Sequence, residues 1–395
     1  MDWGFPCGLQ MSNLSVQTKT VAKSGKGYFP HLDALRGIAI IMVVVFHAFS
    51  FYPETPDQTN LNRFLAVLSQ GVPLFFILSG FLISLIVFDD SKPFAWRTYT
   101  MRRFAKIFPP FALSLIFFSI RDLRHSQFWD ISTLVAANLV TLPNLLPRFN
   151  AINPVSWSLF VELHFYLVFP LVYLGLKKVT PRFGEILTIG VFVFVPLLCR
   201  WAAWNSPVES IGERFFLISR FPCAMDYFAW GMVFCYLQRN HRDKIGRELL
   251  ANRVASFGLV LLPCFVLLFT FILRGYNLSS TQDLAGVSEL CRFLIGLIAF
   301  LLLFFSNVAA PTVLIDNRPL RYVGLISYEW FLFHAGIIPW LRYQIGHVLH
   351  YSFSPTDSAI SFFILTLVSM LASLGISAAI YHWFSQPAMK LFRKY

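Results

Sequence analysis

Three ionisable side chains stand inside long apolar runs of this sequence: His47, Glu162 and His334. Such residues are costly to hold in a bilayer and mark functional positions by default. At a helical rise of about 1.5 Å per residue, His47 and His334 each fall roughly 18 Å from the inner end of their runs, and Glu162 roughly 13 Å from the outer end of its own. In a hydrocarbon core about 30 Å thick, all three lie near the middle or just above it. Two imidazoles and a carboxylate at one depth are the parts of an acid–base site. An imidazole, with an ordinary pKa of about 6.5, can accept the proton of an attacking alcohol. The plainer alternative is that each side chain only bonds a neighbouring helix. Three at matched depth favour the acid–base reading.

Arg36 precedes His47 by about three helical turns, so both project from one face of a helix. Together they could contact a long ligand at two places, or Arg36 could simply snorkel to the interface. A basic segment, Lys92 to Lys106, sets Arg97, Arg102, Arg103 and Lys106 among aromatics in a cytoplasmic loop. Arginine pairs bidentately with phosphate, so a phosphorylated cofactor suits this segment, and so does anionic lipid. Asp226 and Glu329 also lie in apolar runs and read as structural, each pairing with an arginine such as Arg220 or Arg292. Asp33 reads as a helix-start carboxylate.

The elements that must position these residues are transmembrane helices. The chain has 395 residues, of which 56% are hydrophobic and 13% charged, whereas soluble domains carry about 25% charged residues. Crossing the bilayer takes about 20 apolar residues. Ten runs qualify: 35–52, 70–88, 104–120, 153–175, 184–204, 216–237, 254–274, 288–309, 322–343 and 358–385. A weaker run, 131–146, contains Asn138, Pro143 and Asn144 and reads as interfacial or re-entrant. With both termini inside, the inner segments hold 22 of the 32 Lys and Arg and the outer segments 7, as the positive-inside rule demands. An eleventh span would turn the basic loops 177–182 and 239–253 outward. The fold class is therefore an all-α, polytopic transmembrane bundle.

The net charge of +12 would fit nucleic acid, but its basic residues sit in short loops between apolar runs, so the expected partner is the lipid bilayer and not nucleic acid. None of the cysteines has metal-ligand spacing, and no disulfide framework is visible. Residues 1–29 read as a disordered cytoplasmic tail rather than a signal peptide, residues 30–387 as one membrane domain, and residues 388–395 as a basic cytoplasmic tail. Besides an enzyme, one other function class fits the buried ionisable set. That is a proton-coupled secondary transporter with His47, Glu162 and His334 as its relay. Transporters often show matching halves, and no internal symmetry is visible here.

Several strings resemble, in order, the acyltransferase-3 family of integral membrane acyltransferases. Leu32-Asp33-Ala34-Leu35-Arg36-Gly37, followed by His47, looks like the family's Arg-then-ten-then-His signature. Phe75-Phe76-Ile77-Leu78-Ser79-Gly80 is the second string, and Arg102-Arg103-Phe104-Ala105-Lys106-Ile107-Phe108-Pro109 the third. The fourth runs from Trp157-Ser158 through Glu162 to Tyr166, and the fifth from Gly324 through Ser327-Tyr328 to His334. The family's last span usually ends in Glu-Pro, where this chain reads Ser385-Gln386-Pro387.

The resemblance implies O-acylation of a glycan, lipid-linked sugar or other glycosylated small molecule. The donor it implies is acyl-CoA, with acetyl-CoA first among the donors, and no metal is needed. His47 would be the catalytic histidine, Arg36 its companion, and Glu162 would orient or charge-balance the site. Arg102 and Arg103, with Lys106 and Arg97, would hold the CoA phosphates, and Ser79-Gly80 would let the second helix approach closely. His334, Trp157 and Tyr328 are secondary candidates. Some members carry a further hydrolase-like domain, and for this chain a partner is expected to supply any second step. The expected location is a bacterial inner membrane.

Overall fold

The computed structural model describes residues 30–50, 68–122, 128–145, 151–207, 211–250, 281–308, 317–348 and 359–392. Among them all regular structure is helical. In chain order the helices are α1 (Pro30–Ser50), α2 (Gly71–Val87), α3 (Trp96–Asp122), α4 (Phe128–Leu139), α5 (Leu142–Leu145), α6 (Ser156–Val179) and α7 (Gly184–Trp204). They continue with α8 (Ile211–Ile218), α9 (Asp226–Leu250), α10 (Thr281–Val308), α11 (Arg318–Leu325), α12 (Ser327–Val348), α13 (Ala359–Ile380), a π turn (Tyr381–Ser385) and α14 (Gln386–Phe392). Among the described residues five stretches are long and apolar enough to cross a membrane: His31–Phe49, Trp96–Ile120, Ser156–Val179, Gly184–Trp204 and Ile364–Leu391. The apolar Gly71–Val87 is shorter.

The side chains sort as a bilayer requires. Leu167 and Leu171 on α6, Phe194 and Leu198 on α7, and Ile364 and Leu371 on α13 are exposed, where hydrocarbon is the favourable neighbour. Serines face inward along α13, and one of them, Ser373, accepts a hydrogen bond from Trp330 Nε1 at 2.9 Å. Helices in lipid gain association mainly from close packing at small residues. Gly80 backs onto the Phe228 carbonyl of α9 and Gly231 onto α2 at Ile77, so a Cβ at either would collide with backbone. Gly37 and Gly324 do the same for α1 against α11.

Several boundaries differ from those read in the sequence. The segment carrying Arg97, Arg102, Arg103 and Lys106 is helical, because nothing after Trp96 breaks the turn and Pro109 and Pro110 are absorbed within α3. The run 216–237 is divided, with turns between α8 and α9. The run 322–343 is interrupted at Ile326, between α11 and α12. The last helix does not stop at Ser385-Gln386-Pro387. The Gln386 N–H bonds to Tyr381 O across the π turn, and Pro387 falls in the first turn of α14, where its missing N–H costs little. The weak run 131–146 forms two short helices, α4 and α5, joined at Val140 and Thr141. The run 254–274 and the tail 1–29 lie outside the described residues.

Candidate active site

A cavity of about 310 Å³ opens between α1, α2, α3, α6, the α11–α12 break and the π turn. Arg36, Ser79, Arg103, Lys106, Glu162 and Tyr328 all line it. Residues drawn from five separate stretches of sequence therefore face one space.

Glu162 projects from α6 into this cavity and accepts hydrogen bonds from the hydroxyls of Ser79 and Tyr166. The position of Tyr166 follows from a proline. Pro170 has no N–H, so the Tyr166 carbonyl one turn earlier lacks its helical donor. Tyr99 of α3 fills the gap, its hydroxyl donating to Tyr166 O at 2.9 Å. The same pair of rings holds Arg103, whose guanidinium lies 5.9 Å from the Tyr99 ring and 5.4 Å from that of Tyr166, within cation–π range. Arg103 Nε is buried without a hydrogen-bond partner among the described residues. Arg36 stands 3.9 Å from Asp33 on its own helix. Tyr328 donates to Ile107 O at 3.0 Å, in the turn that Pro109 and Pro110 loosen.

Asn153 fixes how α6 meets α12. Its Oδ1 accepts from the Val155 N–H at 3.2 Å, its carbonyl from Ser156 Oγ at 2.7 Å, and its Nδ2 donates to Leu332 O at 2.9 Å. Leu332 is two residues before His334. An Asn-Pro pair ahead of an apolar run signals a helix start, yet nothing local to it names the partner helix. Tyr99, Tyr166 and Asn153 are the positioning residues that the sequence left unassigned.

The two histidines meet beyond an aromatic wall. Phe75 and Phe331 line the cavity with ring centroids 6.4 Å apart, and the Phe331 ring lies 6.1 Å from that of His334. His334 Nε2 is 3.2 Å from His47 Nδ1. His47 and Glu162, read at one depth, thus occupy different surroundings: the carboxylate meets hydroxyls in the cavity, and the imidazole meets its fellow imidazole. Arg97 and Arg102 are exposed on α3 and stand apart from the cavity lining. Gly80 faces α9 rather than the cavity, and Trp157 packs half-buried against the apolar core. Asp226 pairs with Arg292 at 2.8 Å and with Arg200 at 3.2 Å. Among the described residues no group of His, Cys, Asp or Glu is arranged to hold a metal.

The chain is similar to several curated proteins. The acyltransferase MdmB of Streptomyces mycarofaciens is 29% identical over 229 residues, 53% of this chain and 57% of that protein. The peptidoglycan O-acetyltransferase OatA of Listeria monocytogenes is 23% identical over 349 residues, 81% of this chain and 51% of that protein. The putative peptidoglycan O-acetyltransferase YrhL of Bacillus subtilis is 25% identical over 344 residues, 79% of this chain and 49% of that protein. The chain spans about half the length of the curated relatives it matches. No solved structure matches it. A family model described as an acyltransferase domain matches residues 29–382, nearly all of the helical bundle, and the chain therefore belongs to the acyltransferase-3 family of membrane proteins.

Proposed function

We propose that the protein transfers an acyl group, acetyl first among the candidates, from acyl-CoA to a hydroxyl of a glycan, lipid-linked sugar or other glycosylated acceptor in a bacterial inner membrane. One observation carries this reading beyond family membership: an open cavity lined by the cations Arg36, Arg103 and Lys106 together with Glu162. Phosphate or pyrophosphate oxygens suit such a lining, with arginine offering a bidentate fork and lysine a point charge. Glu162 and Asp33 set carboxylates beside those cations. Two of the relatives are named for peptidoglycan O-acetylation, which supports a sugar hydroxyl as acceptor.

In this reading His47 is the general base. The acceptor oxygen attacks the thioester carbonyl carbon while His47 takes its proton. The carbon–sulfur bond then breaks, and the proton passes from the imidazolium to the departing CoA sulfur, giving ester and free thiol. A positioned base contributes about 10²–10⁴-fold. The test is purified protein in nanodiscs with acetyl-CoA and a panel of glycan acceptors, following free CoA and O-acetyl product. Acceptor-dependent release of both is expected; protein that releases CoA with none of the acyl-CoAs or acceptors tried would overturn the reading.

The proposed topology is ten spans with both termini cytoplasmic. It is supported by the charge distribution and by the helices that lie on the runs outside 254–274, although 216–237 and 322–343 are each divided between two helices. In a background without native cysteines, a cysteine at Asn277 should label with impermeant thiol reagent in intact cells, and one at Asn240 should not. The reverse pattern would invert the topology.

A further inference from the structure

A general base must present a lone pair, and the surroundings of the two histidines decide which nitrogen of His47 carries it. His334 is fully buried on α12. Its Nδ1 lies 3.0 Å from Trp330 O and 2.8 Å from Phe331 O. Carbonyl oxygens only accept, so Nδ1 carries the hydrogen and, in the neutral ring, Nε2 is the acceptor. That nitrogen faces His47 Nδ1 at 3.2 Å. Two lone pairs cannot share a hydrogen bond, so His47 Nδ1 donates. Its other neighbour agrees: Val43 O lies 3.0 Å from the same nitrogen. With an acceptor on each side, Nδ1 holds the hydrogen and the lone pair of neutral His47 lies on Nε2.

Helix packing keeps the two rings in register. The rings are tilted by 53° with centroids 5.0 Å apart, so they meet edge to edge through nitrogen rather than stacked. Two turns beyond His334 on α12, Arg342 donates to the carbonyl of Ala48, the residue after His47, and to Thr366 Oγ1 at 2.8 Å. α1 and α12 are thus tied twice.

We propose that His334 is the positioning residue of the site: together with the Val43 carbonyl it fixes the tautomer of His47 so that Nε2 is the proton-accepting atom, and it stabilises the imidazolium through the Nδ1–H that remains. The proposal rests on the reading of His47 as base. In the Ser-His-Asp arrangement a buried carboxylate holds the imidazole in its working tautomer. Here a neutral imidazole does so, without placing a further uncompensated charge among apolar helices. During transfer His47 Nε2 takes the acceptor's hydroxyl proton and returns it to the thiolate, while the Nδ1–H···Nε2 bond to His334 persists and strengthens as His47 becomes charged.

The experiment is nitrogen-15 NMR of the full chain, labelled at histidine, in nanodiscs at about pH 8, above the ordinary imidazole titration. The His47 signals are identified by their loss in His47→Gln. The proposal expects the protonated nitrogen of His47 to be Nδ1, recognised by its coupling to Hε1 but not to Hδ2. A His47 ring protonated at Nε2 would overturn it. Kinetics supply a second arm. His334→Leu removes the acceptor and should lower kcat at least about tenfold, as loss of an orienting partner does elsewhere, with donor KM unchanged. His334→Gln returns an acceptor oxygen near the lost Nε2 and should recover most of that loss. Equal kcat in the Leu and Gln variants, both folded by thermal melting, would overturn the proposal. The two readings fail separately. An Nε2–H ring in a protein that still needs His47 for turnover sinks the tautomer proposal alone. Undiminished turnover in folded His47→Ala sinks the base assignment itself.

Discussion

Arg200 and Glu162 are both ionisable residues inside apolar helices, and their surroundings are built on opposite plans. Arg200, its side chain 2% exposed, is 2.6 Å from Glu289 and 3.2 Å from Asp226. Arg292 completes the cluster, bonding Asp226 at 2.8 Å with its guanidinium 4.4 Å from the Tyr227 ring. The Cys223 carbonyl accepts from both arginines. Charges there answer charges across α7, α9 and α10. Around Glu162 the carboxylate is answered by hydroxyls, while Arg36, Arg103 and Lys106 face an open cavity. Burial of an ionisable residue in a membrane is therefore only the first filter for function. Whether its partners are complete within the protein separates a clamp between helices from a site that waits for a ligand.

Breaking each cluster should damage a different property. His47→Ala should lower turnover by about 10²–10⁴-fold while membrane level and donor binding stay normal, measured as single-turnover rate and acetyl-CoA affinity. Arg200→Met strands Glu289 and weakens the neutralisation of Asp226, which should cost about 3–5 kcal/mol of stability. Thermal unfolding in detergent would record this, with kcat of the surviving folded fraction near normal. Arg103→Ala combined with Lys106→Ala should do the reverse. Charge-assisted hydrogen bonds contribute about 1.5–3 kcal/mol each, so donor KM should rise tenfold or more, with the melting point unmoved or raised. Arg97→Ala with Arg102→Ala should change donor KM by less than about twofold, because exposed charges are screened. A large effect there would mean that the donor extends out of the cavity along α3.

How far the sequence could be read depended on whether the signal was local. The apolar runs are local, since about 20 residues either cross a bilayer or do not, and described helices lie on the runs outside 254–274, two of them, 216–237 and 322–343, being broken. The breaks at Ile326 and between α8 and α9 were not legible. Hydropathy continues through them, and only the geometry of neighbouring helices makes the chain turn there. Arg102 and Arg103 show the same limit at one residue's resolution. As adjacent residues of a loop they look equivalent, whereas on a helix they point about 100° apart, and only Arg103 meets the cavity. The pairing of Asp226 with Arg292 was among those anticipated, and the bonds of Arg200 to Asp226 and Glu289 were not.

The sequence by itself determined that this chain lives in a membrane and that its motifs belong to one acyltransferase family, and it read His47, Glu162 and His334 as lying at one depth. These follow from hydropathy, helical rise and residue order, none of which needs a neighbour. The tertiary structure decided that the two imidazoles touch, that Glu162 faces Ser79 and Tyr166, and that Tyr99 takes up the carbonyl Pro170 leaves open. Depth along a helix is a one-dimensional coordinate that the sequence carries. Rotation about its axis and the choice of facing helix arise only when the bundle packs, and hydrogen bonds form or fail on those two variables.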